Sequence, residues 1–369
     1  MLDHVTIKNF RCLRDVSVPL KPLTVLIGEN DTGKSTFLEA MAYRGGADGA
    51  AALGGPRLAE FGKLDHWAGD PKNNVGIEFR SAGVAPFQVE EKTSGSLPRR
   101  QVRRAGGELP KTPRPLRMNY LRVDPFNIRF SGTQLTDATE LPVIDSRGQQ
   151  VPGVMDRMLR GHRRQFDRME TRCRELVPGF EGFSIIVPKP GVVALSLWLS
   201  GEIELPSERT SAGVRALILY LTLAYRPDAP DVVLVEEPEN GLHPKRLGEV
   251  MALLRLLTEE KPDGRRTQVI LATHSPYLLD HVNVETDQVL VFRREDDGAR
   301  TAEPIDAAGL KTYLNDFMLG EIWDSVGERG LIDPKRLEDG EDAEPEPARA
   351  ATPDDPAGAA VVSPMGAAA

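Results

Sequence analysis

One segment near the N-terminus constrains the fold more than any other, because it joins an apolar strand to a helix through a loop framed by glycines. Leu23–Ile27 is an apolar, β-branched run, and the apolar residues of 35–43 recur on one face of a predicted helix. Residues 28–35 between them read GENDTGKS and fit the pattern G-x-x-x-x-G-K-[ST]. The segment predicts an α/β fold whose sheet ends at an anion-binding loop.

Each part of this loop suits a nucleotide phosphate. Gly28 and Gly33 admit backbone conformations that a Cβ would obstruct, so successive N–H groups can point at one phosphate. Lys34 supplies a positive charge for the β- and γ-phosphates, and Ser35 supplies a hydroxyl for Mg²⁺. We therefore expect ATP and Mg²⁺ as ligands. The predicted nucleotide contacts are Gly28, Glu29, Asn30, Asp31, Thr32, Gly33, Lys34, Ser35 and Thr36.

Two carboxylates follow a second apolar strand. Residues 232–235 precede Glu236 and Glu237 directly, which places both side chains at the carboxyl end of a parallel strand, where ligands of open α/β sheets bind. We interpret Glu236 as a Mg²⁺ ligand and Glu237 as the catalytic base that accepts the proton of the attacking water. Without the glycine-framed loop, such a pair is more often a solvated strand end.

A histidine follows a third apolar strand. Gln268–Ala272 leads into THSP, so His274 is predicted at the same edge of the sheet. A lone histidine is more often a structural residue, but three strand ends that converge on one edge favour a catalytic role for His274 at the γ-phosphate.

The rest of the pattern alternates strands with helices and predicts a parallel sheet covered by helices on its faces. Residues 46–74 are rich in Gly and Ala and are expected to form a loop, and 154–176 is expected to form one long amphipathic helix. Further strands are predicted at 4–8, 75–80, 85–91, 118–123, 183–187, 192–199 and 288–292, and further helices at 212–224 and 244–257.

Composition excludes several classes of protein. No run approaches the roughly 20 apolar residues of a membrane span, and the N-terminus has no apolar signal region, so we expect a cytoplasmic protein with no membrane partner. Cys12 and Cys173 are far apart in the sequence, without metal-ligand spacing, and are interpreted as ordinary thiols.

The negative charge is concentrated at the C-terminus. Residues 337–369 hold eight acidic residues and one arginine, and thus carry −7 of the formal net charge of −9, which leaves −2 for the remainder. This acidic, Pro- and Ala-rich tail has no aromatic residue and is expected to be disordered. The overall charge therefore does not exclude a nucleic-acid partner.

The order and spacing of the motifs resemble the ATPase heads of the ABC type, specifically the RecF, SMC and OLD branch. The resemblance covers residues 1 to about 60 and 183–327, and rests on IKNFR, LIGENDTGKST, EEPENGLHP, THSP and LGEIW. It implies a stand-alone, AAA-type P-loop NTPase head over residues 1–336. This head would have a mixed sheet, a β-hairpin lobe and a helical insertion, with 46–182 as a variable segment.

The resemblance also implies a composite site, in which the Ser-x-Gly signature of each head caps the ATP held by the other. The signature residues would be Ser211 and Gly213, at the start of a predicted helix and 25 residues before Glu236. Ser211 would equally serve as an ordinary helix N-cap. An ATP-dependent homodimer follows from this reading.

The sequence departs from the family pattern at several places. Glu236 stands where many ABC heads have Asp, and the signature lacks the fuller Leu-Ser-Gly-Gly form. Gln134 is the nearest counterpart of the glutamine that these heads place at the nucleotide. No coiled-coil rod divides the chain, and the segment after His274 is shorter than the nuclease domain of OLD proteins, so a partner would perform any cleavage of DNA.

The leading hypothesis is an ATPase whose nucleotide-driven dimerisation controls an action on DNA, in repair, recombination or anti-phage defence. Arginines recur along the predicted long helix and could follow phosphates, although Asp156, Asp167 and Glu170 could equally balance them on a solvated face. The basic residues concerned are Arg99, Arg100, Arg103, Arg104, Lys111, Arg114 and Arg117, then Arg157, Arg160, Arg164 and Arg168. The alternative is an ATP-switched regulatory module that controls a protein partner such as a nuclease.

Overall fold

The computed structural model describes residues 1–43, 75–81, 84–94, 97–104, 117–133, 144–261, 264–295 and 297–334. The predicted loop at 46–74, Gln134, Lys111, Arg114 and the acidic tail at 337–369 lie outside these residues.

Strands and short helices make up most of the described chain. In chain order, the strands are β1 (His4–Phe10), β2 (Leu13–Pro19), β3 (Leu23–Ile27), β4 (Val75–Ser81), β5 (Val84–Ser94), β6 (Leu97–Arg104), β7 (Met118–Arg122), β8 (Ser131–Thr133), β9 (Phe180–Lys189), β10 (Val192–Leu199), β11 (Ile203–Pro206), β12 (Val232–Glu236), β13 (Gln268–Ala272), β14 (Gln288–Arg294) and β15 (Arg300–Pro304). The α-helices are α1 (Lys34–Tyr43), α2 (Val151–Gly161), α3 (Arg163–Leu176), α4 (Ala212–Tyr225), α5 (Leu247–Thr258), α6 (Pro276–Leu279), α7 (Ala307–Leu310) and α8 (Leu319–Ile332).

A six-stranded mixed sheet in the order β15-β14-β3-β13-β12-β7 forms the centre of the fold. Its strands are parallel except for β15, which runs antiparallel to β14. All residues of β3, β12 and β13 are buried, as expected for parallel strands covered on both faces. Because β3, β13 and β12 are neighbours, the residues that follow them lie along one edge of the sheet. The predicted α/β fold with a mixed sheet is confirmed.

Helix α1 lies between the central sheet and a second, antiparallel sheet. That second sheet has the order β2-β1-β4-β5-β6. Phe37 and Met41 of α1 share a buried cluster with Val5 and Ile7 of β1 and with Leu234 of β12. The loop that opens α1 is therefore fixed at both of its ends.

The opposite face of the central sheet is covered by helices. Leu217 and Tyr220 of α4, Leu253 of α5 and Met158 of α2 share one buried cluster with Val233 of β12. A third sheet, in which β10 pairs with β8, β9 and β11, precedes α4 in the chain and forms the β-hairpin lobe.

The prediction of one long helix over 154–176 is wrong. The chain forms α2 and α3, separated at His162, whose φ of −137° and ψ of 48° are not helical. Gly161 precedes the break, and glycine weakens a helix by about 1 kcal/mol relative to alanine. The break lets the apolar faces around Met158 and Phe166 pack into the same core from two directions.

Strand β2 was not predicted from the sequence. Leu13, Val16 and Val18 are buried, but Arg14 and Asp15 interrupt the strict alternation that marks a strand. Tight reversal between β1 and β2 is supported by positive φ angles of 54° at Asn9 and 50° at Arg11. Within the described residues, no helix has both the length and the apolar character needed to cross a membrane.

Candidate nucleotide site

The glycine-framed loop leaves β3 and enters α1 in a backbone conformation that only glycine adopts readily. The φ angles are 140° at Gly28 and 99° at Gly33. A Cβ on Gly28 would lie 2.3 Å from the carbonyl oxygen of Phe292, and one on Gly33 would lie 3.1 Å from the side chain of Leu13. Both glycines are therefore required for the loop to pack against its neighbours.

Lys34 lies near several carboxylate groups. Its Nζ donates hydrogen bonds to the carbonyl oxygens of Gly28 and Glu29, both at 2.7 Å. Burial lowers the pKa of the Lys34 ammonium, and this effect exceeds the opposing effect of four carboxylates. Those carboxylates belong to Glu328, Glu237, Glu239 and Glu236. The lysine is thus held inside the loop, in the place where a phosphate would meet it.

Ser35 and Glu236, the two predicted Mg²⁺ ligands, are in direct contact. Ser35 Oγ donates a short hydrogen bond to Glu236 Oε1, and Tyr120 Oη donates to Glu236 Oε2 at 2.6 Å. The Glu236 residue is only 4% exposed. Burial, together with the charge of Glu236, raises the pKa of Tyr120 well above its usual value, so the phenol remains a donor.

This oxygen pair fits Mg²⁺. In proteins Mg²⁺ is commonly bound by one or two carboxylates together with substrate phosphates and water. Among the described residues, no group of three or more His, Cys, Asp or Glu side chains has the geometry to hold a metal ion. The residues present therefore suit a metal that arrives with a polyphosphate rather than one held by the protein alone.

Glu237 and His274 lie together, and the charge of Glu237 acts on Lys34. Glu237 has a φ of 49° and its N–H donates to the carbonyl oxygen of Ala272 at 2.8 Å, which ties the turn after β12 to the end of β13. His274 Nδ1 lies 3.5 Å from Glu237 Oε1. Their side chains are 35% and 50% exposed, respectively, so both groups are open to a water molecule and a phosphate.

A third carboxylate, Glu239, was missed by the sequence analysis. Its Oε1 accepts a hydrogen bond from Thr273 Oγ1 at 2.6 Å and lies 3.8 Å from His274 Nδ1. The side chain is 12% exposed, and burial raises the pKa of its carboxyl group. The repeated glutamate of EEPE was a signal for this residue, because it follows the same strand as Glu236 and Glu237.

Two side chains from distant parts of the chain contact the P-loop. Arg300 of β15 donates to the backbone oxygen and to the carboxylate of Asp31, each at 2.7 Å. Glu328 of α8 accepts a hydrogen bond from the N–H of Glu29 at 2.9 Å. Neither contact has a local sequence signal, because each joins residues more than two hundred positions apart.

The signature residues lie at the start of α4. Ser211 Oγ accepts a hydrogen bond from the N–H of Val214 at 3.3 Å, which makes Ser211 an N-cap. In the described part of the chain, its side chain makes no hydrogen bond to a P-loop residue. Arg215 holds the start of the helix by donating to the carbonyl oxygens of Thr210 at 2.6 Å and Pro125 at 3.0 Å.

The arginines between 157 and 168 do not form one continuous stripe, since they are divided between α2 and α3. Several exposed arginines in these helices pair with acidic residues one turn away. The pairs are Arg160 with Asp156, Arg163 with Asp167, and Arg174 with Glu170. Arg160 belongs to the predicted stripe, whereas Arg163 and Arg174 do not, so these ion pairs support the charge-balanced interpretation at Arg160.

Comparison with known proteins adds independent observations. Residues 128–280 match a family described as "AAA domain, putative AbiEii toxin, Type IV TA system", and residues 1–43 match one described as "AAA ATPase domain". The chain is 26% identical over 391 residues to an OLD nuclease of Thermus scotoductus (strain ATCC 700910 / SA-01), an alignment that covers 91% of this chain and 71% of that protein.

Solved structures of SMC heads have a similar fold. One is an SMC head bound to the C-winged helix domain of ScpA, with a TM-score of 0.56 and 15% identity over 84% of this chain and 99% of the other. Another is an SMC head with an extended coiled coil, bound to the C-terminal domain of ScpA derived from Pyrococcus furiosus. Its TM-score is 0.54, with 12% identity over 85% of this chain and 98% of that one. Together, the fold and these matches support an ABC/AAA-type ATPase head, with the fold of the SMC heads and sequence similarity to an OLD nuclease.

Proposed function

We propose that two copies of this ATPase head pair around ATP, so that each nucleotide is held by the P-loop of one copy and capped by the α4 N-terminus of the other. The observation that carries this proposal is the position of Ser211, which is exposed and makes no hydrogen bond to its own P-loop in the described chain. A helix N-terminus presents unpaired N–H groups and positive potential, both of which suit a γ-phosphate.

An exposed aromatic side chain at the same end of the molecule supports pairing. Phe126 is 71% exposed and adjoins Pro125, whose carbonyl oxygen accepts from Arg215 at the start of α4. Burial of a phenylalanine side chain contributes roughly 1.5 to 3 kcal/mol, so a partner that covers Phe126 would gain stability beyond the phosphate contacts.

Within each composite site, the chain's own groups have distinct roles. Lys34 binds the phosphates, Glu237 accepts the proton of the attacking water, and His274 contacts the γ-phosphoryl group as it passes from ADP, the leaving group, to water. Ser35 and Glu236 would hold Mg²⁺, which would neutralise phosphate charge.

Association in the presence of different nucleotides tests this proposal. The Glu237→Gln variant keeps its nucleotide because it lacks the catalytic base, so we expect a dimer with ATP and a monomer with ADP, measured by size-exclusion chromatography with light scattering. Lys34→Ala is the matched control and is expected to remain monomeric with ATP. A Glu237→Gln variant that binds ATP and stays monomeric at every concentration contradicts the proposal.

We propose further that the ATPase serves a process directed at DNA, such as repair or anti-phage defence. Two observations support this proposal. The chain shares sequence identity with a protein named as a nuclease, and the basic strand β6 lies at one end of its sheet among the described strands. Arg99, Arg100, Arg103 and Arg104 all lie on β6. An edge strand that carries four positive charges is suited to a phosphate backbone.

Salt dependence separates a DNA partner from a protein partner. We expect duplex DNA to bind at low salt with an affinity that falls steeply with salt, and replacement of the four β6 arginines by alanine to flatten that slope by up to about four units. Replacement of Arg160, Arg164 and Arg168 is the control, with a smaller expected effect. An absence of binding at low salt favours the alternative, an ATP-switched module for a protein partner; the two SMC heads with a similar fold are bound to domains of ScpA.

A further inference from the structure

We propose that Glu239 is a positioning residue for ATP hydrolysis: its carboxyl group fixes the turn that carries His274, and so holds the imidazole beside Glu237. This inference rests on the roles proposed above for Glu237 and His274. Glu239 is the third glutamate of EEPE, and its proposed role does not require contact with the phosphates.

The contact between Glu239 and the THSP turn is direct. Glu239 Oε1 accepts from Thr273 Oγ1 at 2.6 Å and from the N–H of His274 at 3.4 Å. The same Thr273 hydroxyl accepts from the N–H of Ser275 at 2.9 Å, so its one proton goes to Glu239. Thr273 and His274 are thereby bound to the carboxylate directly, and Ser275 is bound to it through the Thr273 hydroxyl.

The turn is also tied to the P-loop strand. Thr273 is fully buried and its N–H donates to the carbonyl oxygen of Leu26 at 3.0 Å, two residues before Gly28. The His274 side chain has a weaker anchor, because it is half exposed and its nearest carboxylate atoms lie at 3.5 and 3.8 Å. The direction in which His274 points therefore depends on the backbone that Glu239 holds.

The Glu239 side chain is not needed to form its own turn. Backbone hydrogen bonds from Asn240 to Glu237 at 3.0 Å and from Leu242 to Glu239 at 3.0 Å close the turn after β12. Any side chain is compatible with those two bonds, so they do not explain a buried carboxylate at this position.

Burial of this carboxyl group is costly. Glu239 Oε2 is buried and has no hydrogen-bond partner among the described residues, and the same is true of Tyr220 Oη. The charge of Glu239 adds to the effect of burial in raising the pKa of Tyr220, which places the two groups in one buried region. A polar atom left unpaired in the interior costs about 1 to 3 kcal/mol, a cost that the proposed positioning role would explain.

Kinetic measurements on variants test this role. We expect Glu239→Ala to lower kcat about 10- to 100-fold through misplacement of His274, with KM for ATP nearly unchanged. Glu239→Gln keeps a side-chain oxygen for Thr273 and His274 and is expected to restore most of kcat. Glu285→Ala, at an exposed glutamate in a distant turn, is the matched control and is expected to equal wild type.

A double-mutant cycle distinguishes positioning from a general loss of structure. In a His274→Ala background, Glu239→Ala is expected to cause no further loss, because the group that it positions is gone. An equal fold-loss in both backgrounds overturns the inference and leaves the proposed function intact. A His274→Ala variant with wild-type kcat instead overturns the role proposed for His274 itself.

Thr273→Val keeps the test valid if Glu239→Ala fails to fold, as judged by its melting temperature. This variant removes the hydroxyl that joins Glu239 to the turn while leaving the carboxylate in place, and the expected result is a loss of kcat with KM retained. A Thr273→Val enzyme with wild-type kcat, or a Glu239→Gln enzyme as impaired as Glu239→Ala, contradicts the inference.

Discussion

Glu236 and Glu237 are adjacent in the sequence, yet their side chains lie in different surroundings. Glu236 ends β12, is nearly fully buried, and is held by Ser35 and Tyr120. Glu237 follows with a positive φ, which turns its own side chain out of the strand and leaves it partly exposed beside His274. This change of backbone direction fits the roles proposed for the two carboxylates, Glu236 toward a metal and Glu237 toward a water molecule.

Replacement of Glu237 by glutamine tests this division of roles. The variant keeps the size of the side chain but cannot accept a proton, so we expect ATP affinity close to wild type and a turnover reduced by roughly 10²- to 10⁴-fold. Equilibrium binding and steady-state hydrolysis measure the two quantities separately. Turnover at the wild-type rate would remove Glu237 from the role of base.

Much of the candidate site could be predicted at the residue scale, because its residues come at or directly after the ends of strands. Each of β3, β12 and β13 is a short apolar run followed at once by polar residues, and parallel neighbours bring those residues to one edge. Tyr120 could not be predicted in this way. It reaches Glu236 because β7 pairs with β12, and the order of strands in a sheet is not encoded in any local pattern.

At the scale of elements, helix α8 contacts the P-loop directly. The helix is kinked at Gly327, with a φ of 64°, and the next residue, Glu328, accepts the hydrogen bond from the N–H of Glu29. Among the carboxylates that act to raise the pKa of Lys34, Glu328 has the largest effect. A negative charge in this position repels an incoming polyphosphate and competes for a loop N–H.

A neutral side chain at this position is expected to tighten binding. Glu328→Gln removes the repulsion, which is about 1 kcal/mol for two unit charges 4 Å apart in water, and we expect ATP affinity to rise about fivefold. Asp324→Asn, at an exposed position on the same helix, removes a charge without loop contact and serves as the control. Isothermal titration measures both, and equal affinities for Glu328→Gln and wild type would show that α8 does not influence the loop.

The split between α2 and α3 shows why the sequence predicts some elements poorly. The apolar spacing continues through His162 closely enough to indicate one helix, but a single straight helix would direct the faces of Met158 and Phe166 along one line. Tertiary packing of both faces into the core is stronger than the local preference for continuity. The same packing divides the arginines that looked like one stripe in the sequence.

For the whole molecule, the central claim is that one chain is only half of an active site. In this claim, one copy assembles the P-loop with Ser35, Glu236, Glu237 and His274. The exposed N-terminus of its α4 would cap the nucleotide of the other copy. A two-fold pair then contains every such contact twice. In the proposed pair, ATP would act as the bridge, because its γ-phosphate is the group that both copies would reach and that ADP lacks.

Mixing two inactive variants tests this claim most directly. Lys34→Ala loses phosphate binding and Ser211→Arg blocks the cap, so each is expected to hydrolyse no ATP alone. In a mixed pair, one of the two sites combines an intact P-loop with an intact cap, so mixing is expected to restore about one quarter of wild-type turnover if the copies pair at random and about one half if only mixed pairs form. Measured ATP hydrolysis that rises into this range on mixing is the result that a composite site predicts. A mixture that stays as inactive as its two folded components, or a Ser211→Arg variant with full activity alone, would contradict it.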